Sequence, residues 1–185
     1  MYEHVLTIGT TGMLAEATCE LARQTRALTC LARTTGSLER LEQQLDKNAE
    51  FHAVSVDYHN TDAFMNEVEK AWQRAPFDLV LVWIHSSARA SLDELMTFLA
   101  EQSTEVKLFN VVGSAAGNPD KKAEAQKIPA SDTLQYHQII LGFQVEASRS
   151  RWLTHGEISR GTLRAIRQQQ ASYVIGTVTP WSARP

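Results

Sequence analysis

The chain has 185 residues, 43% hydrophobic and 21% charged, enough apolar material for one folded unit with a sizeable core, and its composition argues against disorder, collagen or coiled coil. With 18 Lys and Arg against 21 Asp and Glu the formal net charge is −3, so no chain-wide basic surplus exists to neutralise a nucleic-acid backbone. The N-terminus lacks a basic leader and no run approaches the roughly 20 apolar residues of a membrane span, so the expectation is a cytoplasmic protein with neither nucleic acid nor membrane as partner.

In chain order, short β-branched runs alternate with stretches of helical period. The runs are HVLTI (4–8), ALTCLA (27–32), FHAVSV (51–56), DLVLVWI (78–84) and VKLFNVV (106–112). Between them Leu14, Thr18, Leu21 and Ala22, then Phe64, Val68, Ala71 and Trp72, then Leu92, Leu95, Met96 and Leu99 keep one helical face apolar. Asn60 or Thr61 is placed to cap the third helix, and Ser91 with Glu94 has capping-box spacing before the fourth. Residues 113–132 (GSAAGNPDKKAEAQKIPASD) form a polar loop far longer than the usual handful of residues, which suggests function or mobility. A long strand at 136–146, a helix opening near Thr154 with Glu157 at capping-box spacing, and a last strand at 172–178 complete the pattern. Alternation of this kind predicts an α/β fold, a doubly wound, mainly parallel seven-stranded sheet with helices on both faces, in a single domain spanning 1–185.

Cys19 and Cys30 lie among apolar neighbours without CxxC spacing and read as small buried hydrophobes. The six histidines show no HxxxH or HExxH pairing, so no metal site is expected.

The segment Gly9-Thr10-Thr11-Gly12-Met13-Leu14-Ala15 directly follows the first strand and opens the first helix. In that setting Gly9 serves a tight turn, Gly12 lets the backbone approach a pyrophosphate, Ala15 packs closely, and the helix N-terminus offers unpaired N–H groups to the anion. An NAD site usually presents an acidic residue near the end of the second strand; here Arg33 stands there, followed by Thr34 and Ser37. A guanidinium with neighbouring hydroxyls suits a 2′-phosphate, so NADP(H) is expected ahead of NAD(H). Asp57, just past strand three, either accepts from the adenine amino group or helps start the next helix.

These residues resemble the short-chain dehydrogenase/reductase superfamily, in particular its atypical members, over residues 4 to about 117. Leu31-Ala32-Arg33 followed by Leu38-Glu39-Arg40-Leu41, Val56-Asp57, and Val112-Gly113-Ser114-Ala115-Ala116-Gly117 carry the likeness beyond the glycine motif. The resemblance implies that Ser114 orients a substrate carbonyl and that a tyrosine of a YxxxK helix exchanges the proton. Tyr136 is the nearest tyrosine by order, but it stands 22 positions after Ser114, heads a strand pattern, and has Ile140 in place of the lysine. Trp83-Ile84-His85-Ser86 replaces the family's asparagine-bearing turn, so His85, at the end of strand four, is either a substitute acid or base or simply a hydrogen-bonded strand-end residue. Arg149, Arg151 and Arg160, around Trp152, are alternatively an anion clamp or solvated charges.

Two functions follow. One is a small NADP(H)-dependent oxidoreductase acting on a small carbonyl or alcohol substrate. The other is a non-catalytic NADP(H)-binding redox sensor or partner-binding module, which the missing lysine favours. A last strand free of lysine, glutamate and proline, with Trp181 after it, predicts a homo-oligomer, a dimer first of all, unless Trp181 folds back over its own chain.

Overall fold

The computed structural model describes residues 1–46, 48–118, 127–146 and 149–185; Lys47, 119–126 and 147–148, including much of the expected long loop, lie outside the described residues. Nine strands and five helices run in the order β1 (Tyr2–Ile8), α1 (Ala15–Ala22), β2 (Thr25–Ala32), α2 (Thr35–Glu42), β3 (Glu50–Ser55), α3 (Thr61–Arg74), β4 (Leu79–Val82), α4 (Arg89–Ala100), β5 (Val106–Val112), β6 (Leu134–Leu141), β7 (Phe143–Glu146), β8 (Arg149–Trp152), α5 (His155–Gln168) and β9 (Ser172–Ile175) among these residues. Seven of the strands form one all-parallel sheet in the order β3-β2-β1-β4-β5-β6-β9.

Strand chemistry dictates the layering. Leu79, Val80, Leu81 and Val82 are wholly buried, as a central parallel strand covered on both faces requires. Successive side chains point to opposite faces. Accordingly Leu6, Ile8, Val80, Val82 and Leu108 pack with Phe64, Val68, Leu95 and Leu99 of α3 and α4. Val5, Leu79, Leu81, Phe109 and Val111 pack with Leu14, Leu21, Ile158 and Ile166 of α1 and α5. Both cysteines are buried beside Leu38 and Leu41 of α2. Among the described residues no helix is long and apolar enough to cross a membrane.

Asn60 caps α3 by accepting from the Ala63 N–H, and Thr154 with Glu157 forms the full capping box of α5. The Ser91 cap does not form. α4 starts two residues earlier, out of a 3-10 turn at Ser86–Ala88, and buried Ser91 donates instead to the Tyr58 carbonyl. The expected long strand at 136–146 is two strands. At Gly142 the chain passes so close to Thr177 that a Cβ would lie 2.2 Å from its carbonyl oxygen, and β7 leaves the sheet to pair antiparallel with β8. The last strand likewise ends at Ile175, because Gly176 takes a left-handed φ of 76°.

Candidate functional site

The loop after β1 turns on Gly9, whose φ of 68° and position 2.2 Å (Cβ to oxygen) from the Trp83 carbonyl exclude any side chain. Gly12 is the opposite case. A Cβ there would meet nothing within 4 Å, so the space over the loop is open to a ligand lying against bare backbone. No side chain caps α1, and the N–H of its first residue, Ala15, bonds to the Gly12 carbonyl at 3.0 Å. The Ser159 hydroxyl donates to the Met13 carbonyl at 3.0 Å and fixes the loop to α5. Thr10 and Leu14 are wholly buried, so any part they play comes from their backbone and not from their side chains. Thr11 and Met13 are half-buried.

At the end of β2, Arg33 and Thr34 are exposed. The Thr34 and Ser37 hydroxyls lie 2.8 Å apart, and Ser37 also donates to the Thr34 carbonyl, so the pair faces the start of α2 as a unit. Arg40, which the motif contains but the sequence does not mark as a ligand, folds back until its Nη1 lies 3.8 Å from where a Cβ on Gly36 would stand. The Arg40 guanidinium and two hydroxyls therefore lie at the first turn of α2, with exposed Arg33 just before it and acting electrostatically on Asp57. This donor set fits a 2′-phosphate, as the open backbone at Gly12 fits a pyrophosphate.

Asp57, exposed past β3, is engaged by its neighbour: its Oδ1 accepts from the His59 backbone N–H at 3.0 Å and pairs with His59 Nδ1 at 2.9 Å. Those bonds hold its carboxyl below the ordinary aspartate range. His59 Nε2 reaches Ser87 Oγ at 3.0 Å, and Ser87 Oγ reaches His85 Nδ1 at 2.9 Å. Ser87 also donates its backbone N–H to His85 Nδ1 at 3.3 Å, which places the proton of a neutral ring on Nε2. His85 is thus joined to Asp57 through His59 and Ser87, a connection across two loops that no spacing rule along the chain marks.

Ser114 opens a 3-10 turn two residues beyond β5 and is buried. Its Oγ accepts from Arg184 Nε at 3.0 Å. Tyr136 is not beside it. Tyr136 pairs with Leu108 near the start of β6, whereas Val112, two residues before Ser114, pairs with Ile140. Four strand residues separate the two levels, about 13 Å at the usual rise. The phenol oxygen accepts from Asn110 Nδ2 at 3.0 Å inside the sheet layer, and burial pushes its pKa up from the ordinary tyrosine value. Tyr136 is therefore corrected to a structural hydrogen-bonding residue: neither its position nor its acidity suits proton exchange at the Ser114 end.

Of the arginines considered as an anion clamp, Arg151 is committed to Glu157, at 2.9 and 3.0 Å, and to Glu146. The arginine that reaches the Ser114 end is Arg184.

No protein-family model matches the chain, and no curated protein does. Solved structures do. A short-chain dehydrogenase from Sphingobium yanoikuyae in complex with NADPH superposes with a TM-score of 0.71 at 12% identity, covering 98% of this chain and 91% of that one. A short-chain type dehydrogenase/reductase from Mycobacterium marinum gives 0.71 at 9% identity over 96% and 95% of the two chains. A short chain dehydrogenase from Bacillus anthracis gives 0.69 at 13% identity over 95% and 96%. At these identities the likeness establishes the fold alone: a parallel seven-stranded sheet with helices around it, as in those structures.

Proposed function

We propose that this chain is a small NADP(H)-dependent oxidoreductase of the short-chain dehydrogenase/reductase type, acting on a carbonyl or alcohol, and that it departs from the family in lacking the Tyr-xxx-Lys proton donor. The observation that carries the reading is the pairing of open backbone at Gly12 with the Arg33, Arg40, Thr34 and Ser37 cluster at the end of β2. Both lie at the carboxyl ends of parallel strands, where ligands of this architecture bind. The same arginines favour NADP(H) over NAD(H).

In this reading the bound cofactor supplies or accepts hydride. The backbone at Gly12 and Met13 holds the pyrophosphate, and Arg33 with Arg40 holds the 2′-phosphate. Asp57 faces the adenine amino group, its acceptor capacity fixed by His59. Ser114 donates its hydroxyl proton as a hydrogen bond to the substrate carbonyl oxygen, an orientation set by its acceptance from Arg184. His85, exposed at the end of β4 with its Nδ1 held by Ser87, would offer its Nε2–H to the substrate oxygen and regain the proton from solvent.

The test is calorimetric titration with NADPH and NADH, followed by NADPH oxidation across a panel of aldehydes and ketones. NADPH is expected to bind at least tenfold more tightly, since a charge-assisted hydrogen bond contributes about 1.5–3 kcal/mol. Equal affinities, or no nucleotide binding, end the proposal.

A further inference from the structure

The residues around Ser114 form a second recognition site that the cofactor does not require. Arg184 Nε donates to Ser114 Oγ at 3.0 Å. Its guanidinium carbon lies 5.0 Å from the ring centroid of Trp152 and 5.2 Å from that of Trp181. The segment carrying Trp181 and Arg184 is held over the end of β5 by tight packing: Thr177 exchanges backbone hydrogen bonds with Phe143, and Val178 sits 2.7 Å from where a Cβ on Gly117 would be. The guanidinium is thereby placed, not merely tethered.

Placement leaves a surplus of donors. Arg151, nearby in the β7–β8 hairpin, spends its fork on Glu157 and Glu146. Among the described residues Arg184 pairs with no carboxylate, and the hydrogen bond it makes runs from Nε, with its Nη groups on the far side of the fork. Trp152 is 47% exposed, unusual for so large an apolar ring, and presents an aromatic wall beside that fork. Because Ser114 Oγ already accepts from Arg184, its own hydrogen is directed elsewhere, toward an acceptor on the ligand.

From this geometry we infer that Arg184, Trp152 and Trp181 form a carboxylate subsite next to Ser114, and that the substrate is an oxo acid with an aromatic or apolar body. The inference rests on the oxidoreductase reading above. Arg184 holds the carboxylate through its Nη groups while Ser114 donates to the ketone oxygen. Adjacent donors of this kind match a 2-oxo or 3-oxo acid, whose two functions are separated by one or two bonds. In the reaction NADPH delivers hydride to the carbonyl carbon and is oxidised to NADP⁺, the oxygen gains one proton, and the carboxylate passes unchanged into the hydroxy acid.

The probe is benzoylformate, a 2-oxo acid that cannot enolise, with its uncharged methyl ester as control. Binding is followed by tryptophan fluorescence and calorimetry, with and without NADP⁺. Wild-type protein is expected to bind the acid at least tenfold more tightly than the ester, the effect of one charge-assisted bidentate pair. Arg184→Gln should erase the preference, and Arg184→Lys, which keeps the charge but not the fork, should retain part of it. Equal binding of acid and ester overturns the inference, as does an Arg184→Gln protein of unchanged melting temperature that still prefers the acid. If Arg184→Gln weakens NADPH binding instead, the guanidinium serves a cofactor phosphate and the inference also fails. Absence of NADPH binding in wild type refutes the oxidoreductase reading alone, because the acid-over-ester preference in nucleotide-free protein still decides the subsite.

Discussion

Replacing Gly12 by valine and Gly9 by alanine separates a glycine needed for a ligand from one needed for the fold. A Cβ at Gly12 meets nothing within 4 Å, and the residue is exposed, so Gly12→Val costs the protein what a surface change costs, within about 0.5 kcal/mol. For a chain of this length that is a melting shift within about 2 °C. The isopropyl group would fill the space assigned to the pyrophosphate and remove at least two charge-assisted N–H contacts, each about 1.5–3 kcal/mol, so NADPH affinity should fall by roughly 10²–10⁴. Gly9→Ala places its methyl 2.2 Å from the Trp83 carbonyl oxygen on a backbone at φ 68°. The left-handed conformation costs about 1–2 kcal/mol and the forced shift about 1–3 more. A Tm lowered by roughly 5–15 °C follows. Thermal melts and calorimetry on both variants are the assay. A Gly12→Val protein with wild-type NADPH affinity would refute the assignment, and so would one that loses affinity only in step with a large fall in Tm.

Arg33→Ala should bring NADPH affinity to within about threefold of NADH by removing a charge-assisted contact of about 1.5–3 kcal/mol, and calorimetry that finds the preference intact shifts the role to Arg40. In steady-state reduction, Ser114→Ala should lower kcat/KM by about 10²–10³ as an oxyanion donor is lost. Tyr136→Phe should leave activity within about threefold while lowering stability by about 0.5–1.5 kcal/mol, the worth of its bond to Asn110, and a rate loss matching that of Ser114→Ala would reinstate the phenol as proton donor. Arg151 and the Thr154 N–H hold the Glu157 carboxyl at about 2, so the ionised form contributes stability that is present above the ordinary glutamate range and is lost as pH falls toward 2. Urea titrations from neutral pH down to that range should show a decline that Glu157→Gln shallows; parallel curves exclude the capping box as its source. The exposed β9 edge should pair with a second copy, giving a dimer by light scattering at micromolar concentration that survives removal of 179–185, because Trp181 is engaged with Arg184 of its own chain; a monomer rules it out.

The first five strands and the helices between them were legible because each is written in its own hydrophobic period, and a buried parallel strand such as Leu79–Val82 leaves no other reading. The errors fall where the apolar pattern continues but the backbone cannot. Nothing in Leu141-Gly142-Phe143 or Ile175-Gly176-Thr177 marks a strand end by composition. Those breaks come from Gly142 and Phe143 meeting Gly176 and Thr177 in space, more than thirty positions away. Ser91 shows the same limit for caps, since the spacing of a capping box is present but the hydroxyl is drawn to the Tyr58 carbonyl.

The candidate site divides along the same line. Its cofactor half is local, with the glycine loop and the end of β2 each contained in a few consecutive residues whose chemistry survives without knowledge of the fold. Its substrate half is assembled from residues far apart, and the bond from Arg184 to Ser114 spans 70 positions. Sequence order alone favoured Tyr136 as the partner of Ser114, since a tyrosine follows the serine in the family the sequence resembles. A strand answers differently from a helix: at about 3.3 Å per residue it carries Tyr136 well below the sheet edge, where the shorter rise of a helix would have brought successive turns past the serine. What occupies that place near Ser114 is a guanidinium between two indole rings. An arginine does not give up its proton near neutral pH, so a guanidinium at this place can recognise a ligand but cannot deliver a proton to it.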